Sequence, residues 1–181
     1  MTYTSHYPPA QNGTYVKATT EYSSTYAPYL ATNPALSVTG GAVNNSWSSA
    51  TASTNQRFHI DLGSAIIIKR IYIENFHDSG GTTEYSVKNF TFWGSNSATA
   101  FADLTYGTDT NWTQLTTSAS QWTKHPASNT ADPQYITVTN TTAYRYYALK
   151  FADCWTGAGM GVRRIELQTE DATGGNFFAF L

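Results

Sequence analysis

Short segments in which apolar and polar residues alternate constrain this chain more than any other feature. Within residues 57–62 every second residue is apolar, namely Phe58, Ile60 and Leu62. Because the side chains of a β-strand point alternately to its two faces, such a segment predicts a strand with one buried face. No segment of the sequence places apolar residues three and four apart over a helical length. The pattern therefore predicts an all-β domain.

Further strand-like segments follow along the chain, and clusters of turn-forming residues separate them. These segments are residues 65–76, 86–95, 112–115, 135–138, 144–151 and 162–169. The loops between them are marked by glycine-rich stretches such as the pair Gly80-Gly81. Many short strands divided in this way are typical of a β-sandwich or a jelly roll.

The composition agrees with a β fold and excludes several classes of protein. Aromatic residues make up 15 % of the chain and charged residues only 12 %, and aromatic side chains favour pleated, half-buried surfaces. A net charge of −2 leaves no basic patch that could neutralise several phosphates, so nucleic acid is excluded as a partner. Cys154 is the single cysteine, which excludes an intramolecular disulfide framework.

The two ends of the chain differ from its middle. Residues 1–30, rich in Tyr, Thr, Pro and Ser, predict an N-terminal arm or edge strands, and residues 31–171 predict the sandwich. Residues 172–181 form an apolar C-terminal tail, which we expect to dock on this domain or on a second copy. The first residues are polar and show no signal peptide, and no apolar stretch is long enough to span a bilayer. Phage particles also lack such signals, and we expect an extracellular or virion-associated protein.

The order of several motifs resembles a known family. The motifs are residues 44–49 (NNSWSS), 56–63 (QRFHIDLG), 87–96 (VKNFTFWGSN), Trp112, 144–149 (YRYYAL) and 164–167 (RIEL). Together they resemble the discoidin, or coagulation factor 5/8 type C, superfamily, which includes the family 32 carbohydrate-binding modules. The resemblance implies a galactose-binding-like, jelly-roll β-sandwich with about eight core strands and binding loops at one end. Residues 161–171 also look like discoidin-type modules in bacteriophage virion proteins.

By this resemblance, a carbohydrate site forms where three loops meet, namely those after Trp47, at His77 and at Trp155. An aromatic ring would cover the apolar face of a sugar, and polar side chains would bind its hydroxyls. The predicted ligands are Trp155 for stacking and Asn75, His77, Asp78 and Ser49 for hydroxyl contacts. Two alternatives stay open, because His77 also suits an exposed loop and Trp155 a position folded back on the sandwich. Trp47 itself is predicted to pack in the core.

The resemblance also implies a structural calcium ion near the start of the domain. The positions that match its ligands are Leu36, Thr39, Asn45 and Glu166. Thr39 stands where the family has an aspartate, and Asn45 stands where it has a threonine. The predicted site therefore has one carboxylate fewer than the family's site, and carboxylate oxygens are among the ligands that calcium prefers. Glu166 matches the family's glutamate, and its alternative role is a partner for Arg164 or for backbone amides.

The sequence therefore predicts a non-catalytic carbohydrate-binding module for a galactose-type or other glycan. The alternative is a phage virion or tail protein, or a host-adhesion protein, whose sandwich makes protein contacts in a homo-oligomer or a virion. A membrane-lipid binder is disfavoured because the loops are polar and rich in glycine. Zinc-ligand spacing, a nucleophile elbow and a phosphate-binding loop are not found in the sequence. Carboxylate pairs such as Glu74–Asp78 and Asp153–Glu166 arise by chance in any sandwich, so we predict no enzyme activity.

Overall fold

The structure, a computed structural model, describes residues 1–171, so the predicted tail at 172–181 lies outside the described residues. The strands are β1 (Tyr3–His6), β2 (Val16–Ala18), β3 (Trp47–Ser48), β4 (Thr54–Ile66), β5 (Arg70–Asn75), β6 (Phe90–Ser95), β7 (Thr113–Thr117), β8 (Pro133–Thr139), β9 (Tyr144–Asp153) and β10 (Gly161–Glu170). The helices are α1 (Ala98–Ala102) and the 3-10 helices Ser24–Tyr26, Pro28–Thr32 and Thr83–Tyr85. None of these helices is long and apolar enough to cross a membrane.

The strands form two antiparallel sheets that share one junction. In the first sheet the order is β1-β10-β5-β8, and β3 also pairs with β10. In the second sheet the order is β2-β4-β9-β6-β7, and β7 pairs with β8 to join the two. The all-β prediction is confirmed. The arm contributes β1 and β2 at the two outer edges, which raises the number of strands above the eight or so expected.

The hydrophobic core lies between the two sheets, and aromatic rings fill much of it. Trp47 is fully buried and packs edge-on against Phe58, with ring centroids 5.4 Å apart. It also packs against Phe151 of β9 at 5.7 Å. Ile71 and Ile73 are fully buried at alternate positions of β5, as the alternating pattern predicts. The prediction that Trp47 packs in the core is confirmed.

The polar positions of β4 are buried as well, which the alternation did not predict. Arg57 and His59 are both 0 % exposed and lie beneath α1 and the loop of residues 103–112. His59 Nδ1 lies 2.9 Å from the carbonyl oxygen of Phe101, and Arg57 forms an ion pair with Asp109. The sequence did not predict α1 because five residues are too few to display a helical apolar repeat.

Candidate functional site

Three loops meet at one end of the sandwich. The loop that follows Trp47 is joined to the loop before β10, since the Ser49 N–H donates to the Met160 carbonyl at 2.8 Å. The loop after β5 is joined to the loop before β10, since the Gly157 N–H donates to the Glu84 carbonyl at 3.0 Å. The structure thus brings together the three loops from which the sequence predicted a site.

Two glycines, one in the loop before β10 and one at the first position of β10, let the backbone lie directly on aromatic rings. A Cβ atom at Gly157 would lie 2.4 Å from Cδ1 of Tyr85, and one at Gly161 would lie 2.4 Å from Cδ2 of Phe76. A side chain at either position would displace a ring, because atoms do not approach so closely in a packed interior. The rings of Phe76 and Tyr85 stack with their centroids 5.9 Å apart. The glycines therefore fix where this ring pair lies.

A cleft of about 220 Å³ opens beside this ring pair. The residues that line it are Tyr22, Tyr26, Ser48, Phe76, Asp78, Thr82 and Tyr85. Tyr22 and Tyr26 come from the N-terminal arm, and their rings meet edge to face with centroids 5.7 Å apart. Tyr22 is 65 % exposed, and its backbone N–H donates to the Ser48 carbonyl at 2.8 Å, which holds the arm against the loop. The cleft is therefore walled by aromatic rings from distant parts of the chain.

Asp78 is the one acidic or basic residue in this lining. It is exposed, and its Oδ1 accepts a hydrogen bond from the Ala42 N–H at 3.1 Å. Its backbone closes a turn with Gly81 through two N–H···O bonds of 2.8 Å. Since a carboxylate accepts several hydrogen bonds, this fixed group has room for a ligand donor. Burial and then the Asp78 charge raise the pKa of Tyr26, so its phenol stays neutral.

Asn75 and His77, which the sequence assigned to a sugar, lie beneath the cleft rather than in it. Asn75 is fully buried, and its Nδ2 donates to two backbone carbonyls at 2.9 Å and 3.0 Å. His77 is also fully buried; its Nδ1 accepts from the Gly80 N–H at 3.1 Å, so Nε2 carries the hydrogen and donates to the Val38 carbonyl at 2.9 Å. Burial lowers the pKa of His77. Both assignments are corrected, because these polar atoms are used to hold the loop itself.

Ser49 and Trp155 also lie outside the lining of the cleft. Ser49 is buried, and its hydroxyl donates to a carbonyl of its own turn at 2.6 Å and accepts from the Met160 N–H at 3.0 Å. Trp155 is half-buried, and the Nζ of Lys88 lies 4.9 Å from its ring centroid. Of the five residues predicted to bind carbohydrate, Asp78 alone lines the cleft.

Three tyrosines that line the cleft were missed by the sequence analysis. Tyr22 and Tyr26 lie in the arm, and Tyr85 lies in a 3-10 helix, so none belongs to an alternating strand pattern. The available signal was the abundance of tyrosine within residues 1–34. Abundance does not say which rings stay exposed, since exposure depends on how the arm crosses the loops.

Two of the positions predicted to bind calcium, Leu36 and Thr39, face arginine side chains instead. Arg163 is 0 % exposed, and its Nη1 and Nη2 groups donate to backbone carbonyls of two loops. The acceptors are Thr39 at 2.7 Å, Gly40 at 2.9 Å, His77 at 3.0 Å and Ser37 at 3.1 Å. Arg164 donates in the same way to the Leu36 carbonyl at 2.6 Å. The carbonyls of Leu36 and Thr39 therefore face guanidinium groups.

The two remaining predicted calcium ligands have other partners. Glu166 Oε2 accepts a hydrogen bond from the Ser5 hydroxyl at 2.6 Å, and Oε1 lies 3.3 Å from Nη1 of Arg164. Asn45 is exposed, and its Nδ2 donates to the Gly41 carbonyl at 3.2 Å. Within residues 1–171 no group of three or more His, Cys, Asp or Glu side chains is arranged to hold a metal ion. The residues present do not fit calcium here, because guanidinium groups already face the carbonyls of Leu36 and Thr39 and the carboxylate of Glu166.

Solved structures with this fold include several carbohydrate-binding modules. A chitosan-binding module 1 from the chitosanase/glucanase of Paenibacillus sp. IK-5 is 20 % identical with a TM-score of 0.58, over 91 % of this chain and 99 % of that one. The family 32 module of NanJ from C. perfringens, solved with galactose, is 12 % identical with a TM-score of 0.58, over 85 % and 92 %. The family 32 module of AlyQ, solved with 4,5-unsaturated mannuronic acid, is 16 % identical with a TM-score of 0.55, over 91 % and 97 %.

The sequence itself identifies the family. The F5/8 type C domain matches residues 15–167, which reach from the arm into β10. The predicted resemblance to the discoidin superfamily and the predicted jelly-roll sandwich are thereby confirmed. No curated protein matches the sequence. Since the match covers most of the chain, the protein belongs to the F5/8 type C domain family.

Proposed function

We propose that this protein is a non-catalytic carbohydrate-binding module whose ligand lies in the cleft between Tyr22, Tyr26 and Tyr85. The observation that carries the proposal is an open cleft in which aromatic rings stand beside a carboxylate. Sugars present apolar C–H faces that stack on aromatic rings, and they present hydroxyls that bind polar side chains. Asp78 and Thr82 supply such polar groups in the lining.

The similar solved structures support carbohydrate as the class of ligand. They include modules described as chitosan-binding and pectin-binding, and modules solved with galactose or with a mannuronic acid derivative. Because sequence identity to these modules is 20 % or lower, they indicate only that the ligand is a carbohydrate. The identity of the sugar has to be inferred from the residues of the cleft.

The arrangement of carboxylates supports binding without catalysis. Hydrolysis of a glycosidic bond usually requires two carboxyl groups that flank it. Asp78 is the one carboxylate that lines the cleft. Glu74 is buried, where it accepts hydrogen bonds from the Tyr72 hydroxyl at 2.6 Å and the Asp132 N–H at 2.7 Å. Asp153 is held by the Asn89 side chain at 2.9 Å.

A cleft of this size favours weak binding of one or two sugar units, since little apolar area offsets the entropy lost on binding. Several copies on an oligomer or a virion would raise the apparent affinity by avidity. The extracellular or virion-associated setting stays a prediction on this basis.

Replacing Tyr22 by alanine is expected to lower glycan affinity about tenfold, because an exposed stacking surface is removed. The same variant should keep its unfolding midpoint, since Tyr22 is 65 % exposed. Glycan-array binding followed by calorimetry with the best glycan would measure the effect. Tyr135→Ala is the matched control, because Tyr135 is 54 % exposed and does not line the cleft.

The same experiment separates the cleft from the position that the sequence favoured. Trp155→Ala is expected to bind glycan as the unmodified protein does, because Trp155 does not line the cleft. Loss of binding in Trp155→Ala together with full binding in Tyr22→Ala would place the site at Trp155 and refute the present assignment.

A further inference from the structure

We infer that the cleft selects a cationic amino sugar, whose ammonium group pairs with Asp78 among the tyrosine rings. This inference rests on the proposed function and specifies its ligand. The lining contains one carboxylate and no Lys, Arg or His. A ligand cation there would gain a charge-assisted hydrogen bond that a neutral sugar lacks.

The aromatic residues of the cleft favour the same charge. Ammonium groups are attracted to the faces of aromatic rings, and Tyr22, Tyr26 and Tyr85 surround the space beside Asp78. A sugar acid would instead meet the Asp78 carboxylate as a like charge. Neutral sugars would stack on the rings without using the charge.

The nearby cations of the protein are already engaged. Arg163 lies on the buried side of the Asp78 loop, and its guanidinium donates to backbone carbonyls, including that of His77 at 3.0 Å. It forms no ion pair with Asp78 among the described residues. Lys88 lies over the ring of Trp155. The exposed Asp78 carboxylate is therefore open to a cation from solution.

The test compares three trisaccharides by calorimetry at a pH where free amines are protonated. They are chitotriose with free amines, its fully N-acetylated form, and trigalacturonic acid. Chitotriose is expected to bind about tenfold more tightly than the N-acetylated form, and the acid is expected not to bind. Asp78→Asn should lower chitotriose affinity about tenfold and remove the preference. Glu21→Gln, an equal charge change at an exposed residue outside the cleft, should retain the preference.

The outcomes distinguish this inference from the proposed function. Equal binding of chitotriose and its N-acetylated form, or tighter binding of the acid, would overturn the amino-sugar inference while carbohydrate binding stands. If none of the three binds and a broad glycan array is also negative, the proposed function itself is refuted.

A second, independent observation concerns the loop at residues 36–41. We propose that the Arg163 guanidinium is the resident cation of this loop, so that folding and ligand binding require no calcium. Carbonyl oxygens are ligands that calcium accepts, and three in this loop, together with that of His77, receive guanidinium N–H groups of Arg163 at 2.7–3.1 Å. Arginine suits this role because it stays charged and presents five donors in a fixed fork.

Calcium titration of the unmodified protein tests this second proposal directly. Calorimetry should detect no binding, and the unfolding temperature should be the same in millimolar calcium and in a chelator. Arg163→Met should lower the unfolding temperature by roughly 10 °C, because buried carbonyls lose their donors. Added calcium should not restore it. Arg163→Lys keeps the charge but lacks the forked donors, so its unfolding temperature should lie between those of the unmodified protein and Arg163→Met. A rise of several degrees on adding calcium to the unmodified protein would overturn the proposal, whether or not the variants fold.

Discussion

Replacing Trp47 by alanine is expected to lower the free energy of unfolding by about 3–5 kcal/mol. Trp47 is 0 % exposed and contacts the rings of Phe58 and Phe151 between the two sheets. Removal of the indole would leave a large cavity that the rigid strands cannot close. Its N–H also donates to the Thr20 carbonyl at 3.0 Å, and this bond would be lost. Urea unfolding followed by far-ultraviolet circular dichroism would measure the change.

Trp47→Ala should also disturb the cleft proposed to bind glycan, because Trp47 anchors the arm that carries two of its tyrosines. The carbonyl of Thr20, which accepts from the indole N–H, is two residues before Tyr22 in the chain. The carbonyl of Ser48, next to Trp47, accepts from the Tyr22 backbone N–H. Trp47→Phe keeps a ring without the N–H and should cost about half as much as alanine. A loss below about 1 kcal/mol in Trp47→Ala would show that the core is not organised around this ring.

Acid is expected to destabilise the protein by about 3 kcal/mol through His59 alone. Burial lowers the pKa of His59 to about 4, from an ordinary value of 6.5. The Phe101 carbonyl can only accept, so Nδ1 at 2.9 Å carries the hydrogen. Nε2 then faces the Arg57 guanidinium, with Nη1 at 3.5 Å. A second proton on the ring would therefore point at a buried cation.

The direction of the pH dependence follows from these pKa values. Because the folded-state pKa is lowered, the unfolded chain binds a proton between about pH 6.5 and pH 4 that the folded protein does not. Stability is therefore full above pH 6.5, falls as the pH drops towards 4, and changes no further through this group below that. His77 acts in the same direction, since its pKa is also lowered by burial.

Urea unfolding at several pH values between 7.5 and 4 would measure this loss. His59→Gln is the control, because an amide can donate to one neighbour and accept from the other without titrating in this range. The variant should lose about 3 kcal/mol less than the unmodified protein over the same pH interval. If both proteins lose the same stability between pH 7.5 and 4, then protonation of His59 is not the cause of the loss and the prediction is wrong.

The strands were predictable because the information that specifies them is local. Alternation over a few residues places Phe58 and Ile60 on one face whatever the rest of the chain does. The position of Trp47 in the core and the pairing of Glu166 with Arg164 were also anticipated, the first from the family resemblance and the second as an alternative. Family membership followed from motifs that lie mostly in these strands.

The tyrosine-lined cleft was not predictable in the same way, because it is assembled from distant segments. Tyr22 and Tyr26 reach Tyr85 only because the arm crosses the loop at Ser48, and no local pattern encodes that crossing. The buried state of Arg57 and His59 likewise depends on α1 and its loop, which cover the outer face of β4.

The sequence by itself thus determined that the chain forms alternating strands of a known family and that its loops gather at one end. The tertiary structure decided which side chains of those loops face solvent. It placed His77 and Asn75 among backbone donors and acceptors, and it left Asp78 exposed beside tyrosines. The physical reason is that burial and hydrogen-bond satisfaction depend on contacts between segments far apart in the chain, whereas strand periodicity depends on neighbours alone.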